Sequence, residues 1–309
     1  MEAKLLKTPV AFMIFNRPET TARVFEAIRQ ARPRKLLVVA DGPRPGRQEE
    51  AVKCEQARAI ISQVNWPCDV MTNFSEVNLG CKRRISSGLD WVFSTVEEAI
   101  VLEDDCLPHP SFFRFCEELL ERYRDDDRIM MISGDNFQFE NKRTEYSYYF
   151  SYHTHIWGWA SWRRAWQYYD VDMKLWPLIS AGNWLDDFKI DMKMLRRWKD
   201  IYDKVYAGKI DTWDYQWTFA CWVNNGLVVL PNHNLVANIG FGHDATHIVE
   251  DSILSNLPSE AMSFPLVHPP FLLRDTRADA YTDRMMFSRK LSIRKIINKI
   301  RKMVNIALL

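Results

Sequence analysis

EEAIVLEDDCLPH, residues 97–109, is the stretch that decides the fold. Ala99 to Leu102 form a short apolar run that passes straight into three consecutive acids, Glu103, Asp104 and Asp105. Like charges at that spacing repel, and each costs free energy when taken out of water without a partner. A divalent cation at the end of a buried strand would resolve the conflict. A solvated turn in which the acids do nothing would also resolve it.

Outward from this point, strand and helix patterns alternate. TPVAFMIF (8–15) reads as a strand, and 18–31 as a helix with Val24, Phe25 and Ile28 at helical spacing and Pro18 in its first turn. KLLVVA (35–40) is a second strand, closed by the turn signal Asp41-Gly42-Pro43. A helix over 47–64, a strand over 69–74, a helix over 79–93 and the strand at 99–102 follow. Continuous apolar strands separated by helices predict an α/β fold with a mostly parallel, covered sheet. Ligands of such sheets bind beyond the carboxyl ends of the strands, where Asp41 and the acid triplet both fall. No GxGxxG follows the first strand and no GxxxxGK[ST] occurs, so dinucleotide-dependent dehydrogenases and P-loop NTPases are disfavoured.

Composition narrows the class further. The 309 residues suffice for one large or two small domains, and a formal net charge of +1 gives no general attraction for nucleic acid. Six cysteines without a CxxC pair read as reduced thiols of a cytosolic chain. The apolar run near the N-terminus stops at Asn16-Arg17-Pro18, too short for a bilayer, and reads as the first strand.

A strand followed by an acidic triplet after about a hundred residues of β/α alternation resembles the Rossmann-like GT-A fold of nucleotide-sugar glycosyltransferases. VLEDDCLPHPSFFRFCEELL (101–120) is similar to the acidic motif and following helix of the N-acetylglucosaminyltransferase I type. ISGDN (132–136), IWGWASWRRAW (156–166), DTWDYQW (211–217) and NIGFGHDATH (238–247) follow in an order similar to that family's blocks. The resemblance covers about residues 8–248. It departs where the family's paired acids between two tryptophans become Trp213-Asp214-Tyr215-Gln216-Trp217, and no signal anchor like that of the Golgi enzymes is expected. It implies a bacterial or otherwise cytoplasmic relative with its own acceptor.

The implied activity is transfer of a hexosyl or N-acetylhexosaminyl group from a nucleotide-diphosphate sugar, UDP-sugar by analogy, to a glycan or lipid-linked hydroxyl with inversion. Charge developing on the leaving diphosphate calls for Mn²⁺ or Mg²⁺, held by one or two carboxylates and phosphate oxygens. Asp105 is the expected metal ligand, as the resemblance also implies. Asp104 would serve donor hydroxyls or metal-bound water, and Glu103 would pair with a base or point back to the sheet. Asp41 would read the base or ribose, or simply make an Asp-Gly turn. Lys82 and Arg84, in CKRRISSGLDW (81–91), would meet the diphosphate at a helix start, unless they form a solvated basic turn.

A general base must face the acceptor. Asp214 is expected there by resemblance and aromatic setting, with Asp211 as its rival and Asp135 on a donor or acceptor hydroxyl. Trp157 and Trp159 would be sugar platforms, and Trp162 and Trp166 helix core. GFGHDATH (240–247) reads as a mobile loop whose His243 and His247 would contact the diphosphate or complete the metal site. The expected organisation is a catalytic domain over 1–275, with a nucleotide-binding half (1–110) and an acceptor-binding half (111–275). A tail over 284–309 carries eight basic residues and an apolar stripe from Ile293 to Val304, suited to peripheral contact with an anionic membrane. A sugar-phosphate nucleotidyltransferase and a non-catalytic nucleotide-sugar-binding module are the alternatives.

Overall fold

The computed structural model describes residues 5–139, 141–188, 190–240 and 257–287. His243, His247 and the tail beyond 287 lie outside them.

The alternation predicted for the first hundred residues forms β1 (Val10–Ile14), α1 (Pro18–Ala31), β2 (Lys35–Ala40), α2 (Gln48–Ala59), β3 (Asp69–Phe74), α3 (Gly80–Thr95) and β4 (Glu98–Glu103). All five residues of β1 are buried because helices cover both sides of the sheet. α1 starts at Pro18, buries Thr21, Val24, Phe25 and Ile28, and ends where Arg32 turns left-handed and donates its N–H to Ile28 O. Gly88 sits inside α3 because a Cβ there would lie 2.5 Å from Val39 Cγ1, so its absence lets α3 lie close on β2.

The chain continues through β5 (Cys106–Pro108), α4 (Pro110–Arg122), β6 (Ile129–Ser133), β7 (Tyr148–Ser151), β8 (Trp159–Trp162) and α5 (Arg163–Trp166). α6 (Trp176–Ala181), α7 (Met192–Tyr206), α8 (Asp214–Val223), β9 (Leu227–Pro231), β10 (Val236–Asn238) and α9 (Thr276–Thr282) complete it. One eight-stranded sheet has the order β3-β2-β1-β4-β8-β6-β9-β7, and β10 pairs with β5 in a small second sheet. β1, β2, β3 and β4 are mutually parallel, as are β6 and β9, while β8 and β7 run antiparallel to their neighbours. This is a mostly parallel α/β sheet flanked by helices. The half of the chain after residue 110 extends the same sheet.

Alternate residues of the strands feed two cores. Ala11, Met13, Leu37, Val39 and Val101 pack under α3, α7 and α8. Val10, Phe12, Ile14, Leu36 and Val38 pack under α1 and α4. The tryptophan run belongs to the interior: Trp159, Trp162 and Trp166 are 0%, 2% and 4% exposed. This corrects two expectations. Trp159 is no sugar platform, and Trp162 is strand core, because four residues from Trp159 form β8 between β4 and β6. The six cysteines are free thiols. No helix among the described residues is long and apolar enough to cross a membrane.

Candidate active site

Parallel register assembles the site. Met13 on β1 lies opposite Glu103 on β4, so the residues after β1 run beside the residues after β4. Phe15 donates its N–H to Asp104 Oδ2 at 3.0 Å. Arg17 Nη1 lies 2.7 Å from Asp105 Oδ2 and 3.6 Å from Asp104 Oδ1. Thr21 holds Arg17 at the start of α1, donating both its N–H and its hydroxyl to Arg17 O. A cation of the chain itself therefore faces the acid triplet. Burial works against the charge of Arg17, but Asp104, Asp105 and Glu103 outweigh it and raise its pKa.

The acids are held under tension. Burial first, then repulsion from Asp105, Asp104 and Asp214, pushes Glu103 up to about 8, against the pull of Arg17. Burial and Asp105 likewise raise Asp104, opposed by Arg17 and the Phe15 N–H. Asp105 is the more accessible of the two aspartates, its side chain 17% exposed against 9% for Asp104. Its carbonyl accepts from Ile239 N at 2.8 Å. The chain then passes so close that a Cβ on Gly240 would lie 2.2 Å from Asp105 Oδ2. Only a glycine leaves that carboxylate room.

Asp214 opens α8, and Thr212 donates its hydroxyl to Asp214 Oδ1. It is near enough to Glu103 and Cys81 to act on both electrostatically. Asp211 precedes the helix, so Asp211 and Asp214 do not share a helical face. Its carboxylate lies over the start of α3, where a Cβ on Gly80 would be 3.5 Å from Asp211 Oδ2. Burial first, then Glu103, Asp214, Asp211 and Asp41, pushes the Cys81 thiol up to about 12.

Three expected ligand contacts take a different place. The Asp41 carboxylate accepts from the N–H groups of Gly42, Leu79 and Gly80 and from Asn78 Nδ2, between 2.9 and 3.2 Å. A carboxylate offers about four acceptor positions, so Asp41 is engaged in clamping the β3–α3 loop. Arg84 is 6% exposed and donates to both Asn73 O and Asn73 Oδ1, at 2.7 and 2.8 Å. It braces the end of β3 beneath the surface. Asp135 is fully buried; its Oδ2 accepts the Trp157 N–H at 2.9 Å, and Oδ1 has no donor among the described residues. It lies beneath the surface because Val236, Phe112 and Gly158 O close on Gly134.

Lys82 stays at the surface, lining a cavity of about 480 Å³ with residues 171–174 and the end of α7. Trp157 remains half-buried, edge-on to Phe137 at 5.2 Å. The sequence reading missed Arg17 and Thr212. The signal for Arg17 was a cation directly past the first strand, in line to meet acids past its parallel neighbour.

No three His, Cys, Asp or Glu side chains among the described residues form a ready-made metal cage. The hard carboxylate oxygens of Asp105 and Asp104 nonetheless suit Mg²⁺ or Mn²⁺, which take few protein ligands beside phosphate oxygens.

No protein-family model matches the sequence, and no curated protein matches it. Solved structures resemble parts of the chain. A mannosyltransferase from Pyrobaculum calidifontis, in complex with GDP-Man and Mn²⁺, is 14% identical at a TM-score of 0.37, covering 51% of this chain and 45% of that one. The chain thus matches less than half the length of that protein. Mouse xyloside xylosyltransferase 1 is 8% identical at a TM-score of 0.30, covering 69% and 81%. A UDP-glucose pyrophosphorylase complexed with UDP-glucose is 15% identical at 0.26, covering 47% and 62%.

Proposed function

We propose that the chain is a glycosyltransferase that moves a hexosyl or N-acetylhexosaminyl group from a nucleotide-diphosphate sugar, UDP-sugar in the first instance, to a glycan or lipid-linked hydroxyl with inversion. The observation that carries this reading is the pairing of Arg17 with Asp105 and Asp104 at adjacent parallel strand ends. Such a place, beyond the carboxyl ends of an α/β sheet, is where a diphosphate would lie.

Arg17 presents a fixed guanidinium to the phosphates, a geometry suited to paired oxygens. Asp105 and Asp104 would hold Mn²⁺ or Mg²⁺, which when bound neutralises charge on the diphosphate leaving group. Asp41 fixes the loop that leads into α3, and through it the side of the site on which Lys82 stands. Asp214, whose Oδ1 receives the Thr212 hydroxyl, would take the acceptor proton. Glu103, the last residue of β4, would pair with a base or point back to the sheet. His243 and His247 are assigned to the diphosphate side, and residues 284–309 to peripheral contact with anionic membrane.

A thermal-shift screen of UDP-, GDP- and CDP-sugars with and without Mn²⁺ tests the reading, followed by product detection for the nucleotide sugar that stabilises most. Ligand at 100 times its Kd should stabilise the fold by about 2.7 kcal/mol. If no nucleotide sugar shifts the transition with Mn²⁺ present, the proposal fails.

A further inference from the structure

A cleft of about 590 Å³ lies between the first half of α7 and the α9 segment, within the span of small-molecule sites, roughly 300–1,000 Å³. Its floor is acidic and deeply buried, with Asp279 2% and Asp283 6% exposed. Ser151 Oγ donates to Asp279 Oδ1, and the Tyr152 hydroxyl donates to Asp283 Oδ2, each at 2.5 Å. The second oxygens, Asp279 Oδ2 and Asp283 Oδ1, have no hydrogen-bond donor among the described residues. Two nitrogens approach them without bonding geometry, Arg274 Nε at 3.3 Å and His153 Nε2 at 3.4 Å. Buried acceptors of this kind are costly until something donates to them.

The rim carries both signs, but its two exposed acids are engaged, Asp191 in capping α7 and Asp200 in an ion pair with Lys204. Lys193 and Arg196, by contrast, stand exposed on α7 beside the cleft, and no described acid pairs with either. Hydroxyl donors would satisfy the floor and an anionic group would satisfy the rim. A polyhydroxylated molecule bearing a carboxylate or phosphate does both.

α7, one wall of the cleft, packs against α8. Arg197 lines the cleft and acts electrostatically on the hydroxyl of Tyr215, and Trp198, behind it, packs edge-on against Tyr215 at 6.0 Å. Tyr215 directly follows Asp214. We infer that the cleft between α7 and α9 binds an anionic saccharide, and, resting on the glycosyltransferase reading, that it holds the non-reacting end of the acceptor.

Isothermal titration of the full chain tests this with four probes: trigalacturonic acid, glucosamine 6-phosphate, neutral maltotriose and inorganic phosphate. At least one of the two anionic sugars should bind about tenfold or more tightly than maltotriose and than phosphate; which one does identifies the anionic group. The Lys193→Glu/Arg196→Glu variant should lose that binding about tenfold while keeping the nucleotide-sugar thermal shift of wild type. Four outcomes overturn the inference: equal affinity for maltotriose, equal affinity for phosphate (an adventitious ion only), no binding of either anionic sugar, or an unchanged double variant. Variant-sensitive saccharide binding in a protein that shows no nucleotide-sugar shift would uphold the cleft and overturn its acceptor role together with the glycosyltransferase reading.

Discussion

Arg17 Nη1 lies 2.7 Å from Asp105 Oδ2, across 88 residues of sequence. The contact answers how three adjacent acids are tolerated at a strand end: the neighbouring parallel strand delivers a cation to them. It also means that Arg17 shares its carboxylate with whatever ligand the site takes.

Replacing Arg17 by Met should therefore weaken both the fold and the site. Losing a charged hydrogen bond costs about 1.5–3 kcal/mol, to be read as a lower urea midpoint at pH 7. Nucleotide-sugar affinity should fall about tenfold or more. Unchanged stability and unchanged affinity would show that the pair is incidental.

Gly240→Ala places a methyl group 2.2 Å from Asp105 Oδ2. The chain should fold, with far-UV circular dichroism like that of wild type. Mn²⁺-dependent binding of the nucleotide sugar should weaken about tenfold, roughly 1.4 kcal/mol. Wild-type affinity would mean that the 238–240 backbone does not constrain the carboxylate.

Arg84→Met separates bracing from ligand binding. The variant removes the Arg84 donor from the part-buried Asn73 carbonyl and side chain, and the loss of such bonds costs about 0.5–1.5 kcal/mol each. Thermal stability should drop while donor affinity stays within about twofold. A selective loss of affinity would restore Arg84 to the diphosphate.

Burial raises Asp279 from 3.8 to about 6, against the opposing pull of His153, the Ser151 hydroxyl and Arg274, with Asp283 adding to the rise. A raised carboxylate pKa means that the folded chain holds the proton more tightly than the unfolded chain. Its contribution is full below about pH 4 and is lost as pH rises through about 6. Asp279→Asn should therefore gain stability relative to wild type between pH 4 and 7, by up to about 3 kcal/mol from the shift of about two pKa units. Parallel stability curves for the two proteins over that range would refute the assignment.

The sequence made the first sheet edge legible for local reasons. α1, β2 and β3 have the expected bounds because Pro18 fixes a helix start and Asp41-Gly42 closes an apolar run. β8 was not legible: tryptophans at spacings of three and four imitate a helix, and four residues hold too little period to say otherwise. Within the site, the acid triplet and Asp214 could be picked out by residue type and motif. The partners of Arg17 depend on parallel register between β1 and β4, which no local pattern encodes. Arg84 and Lys82 are two positions apart, yet one turns into Asn73 and the other to the surface. Helix rotation decides between them, and a run of three cations hides it.

The central claim is that the Asp105 end of β4 meets a nucleotide diphosphate while Asp214 serves the acceptor. Titrating the nucleotide sugar that gives the largest thermal shift into wild type, Asp105→Asn and Asp214→Asn, with Mn²⁺ and with EDTA, and measuring transfer by each, tests it most directly. The account predicts that Asp105→Asn loses Mn²⁺-dependent binding and turnover, and that Asp214→Asn keeps wild-type affinity but transfers about 10²–10⁴ times more slowly. Wild-type transfer by Asp105→Asn, or turnover indifferent to EDTA, would contradict it.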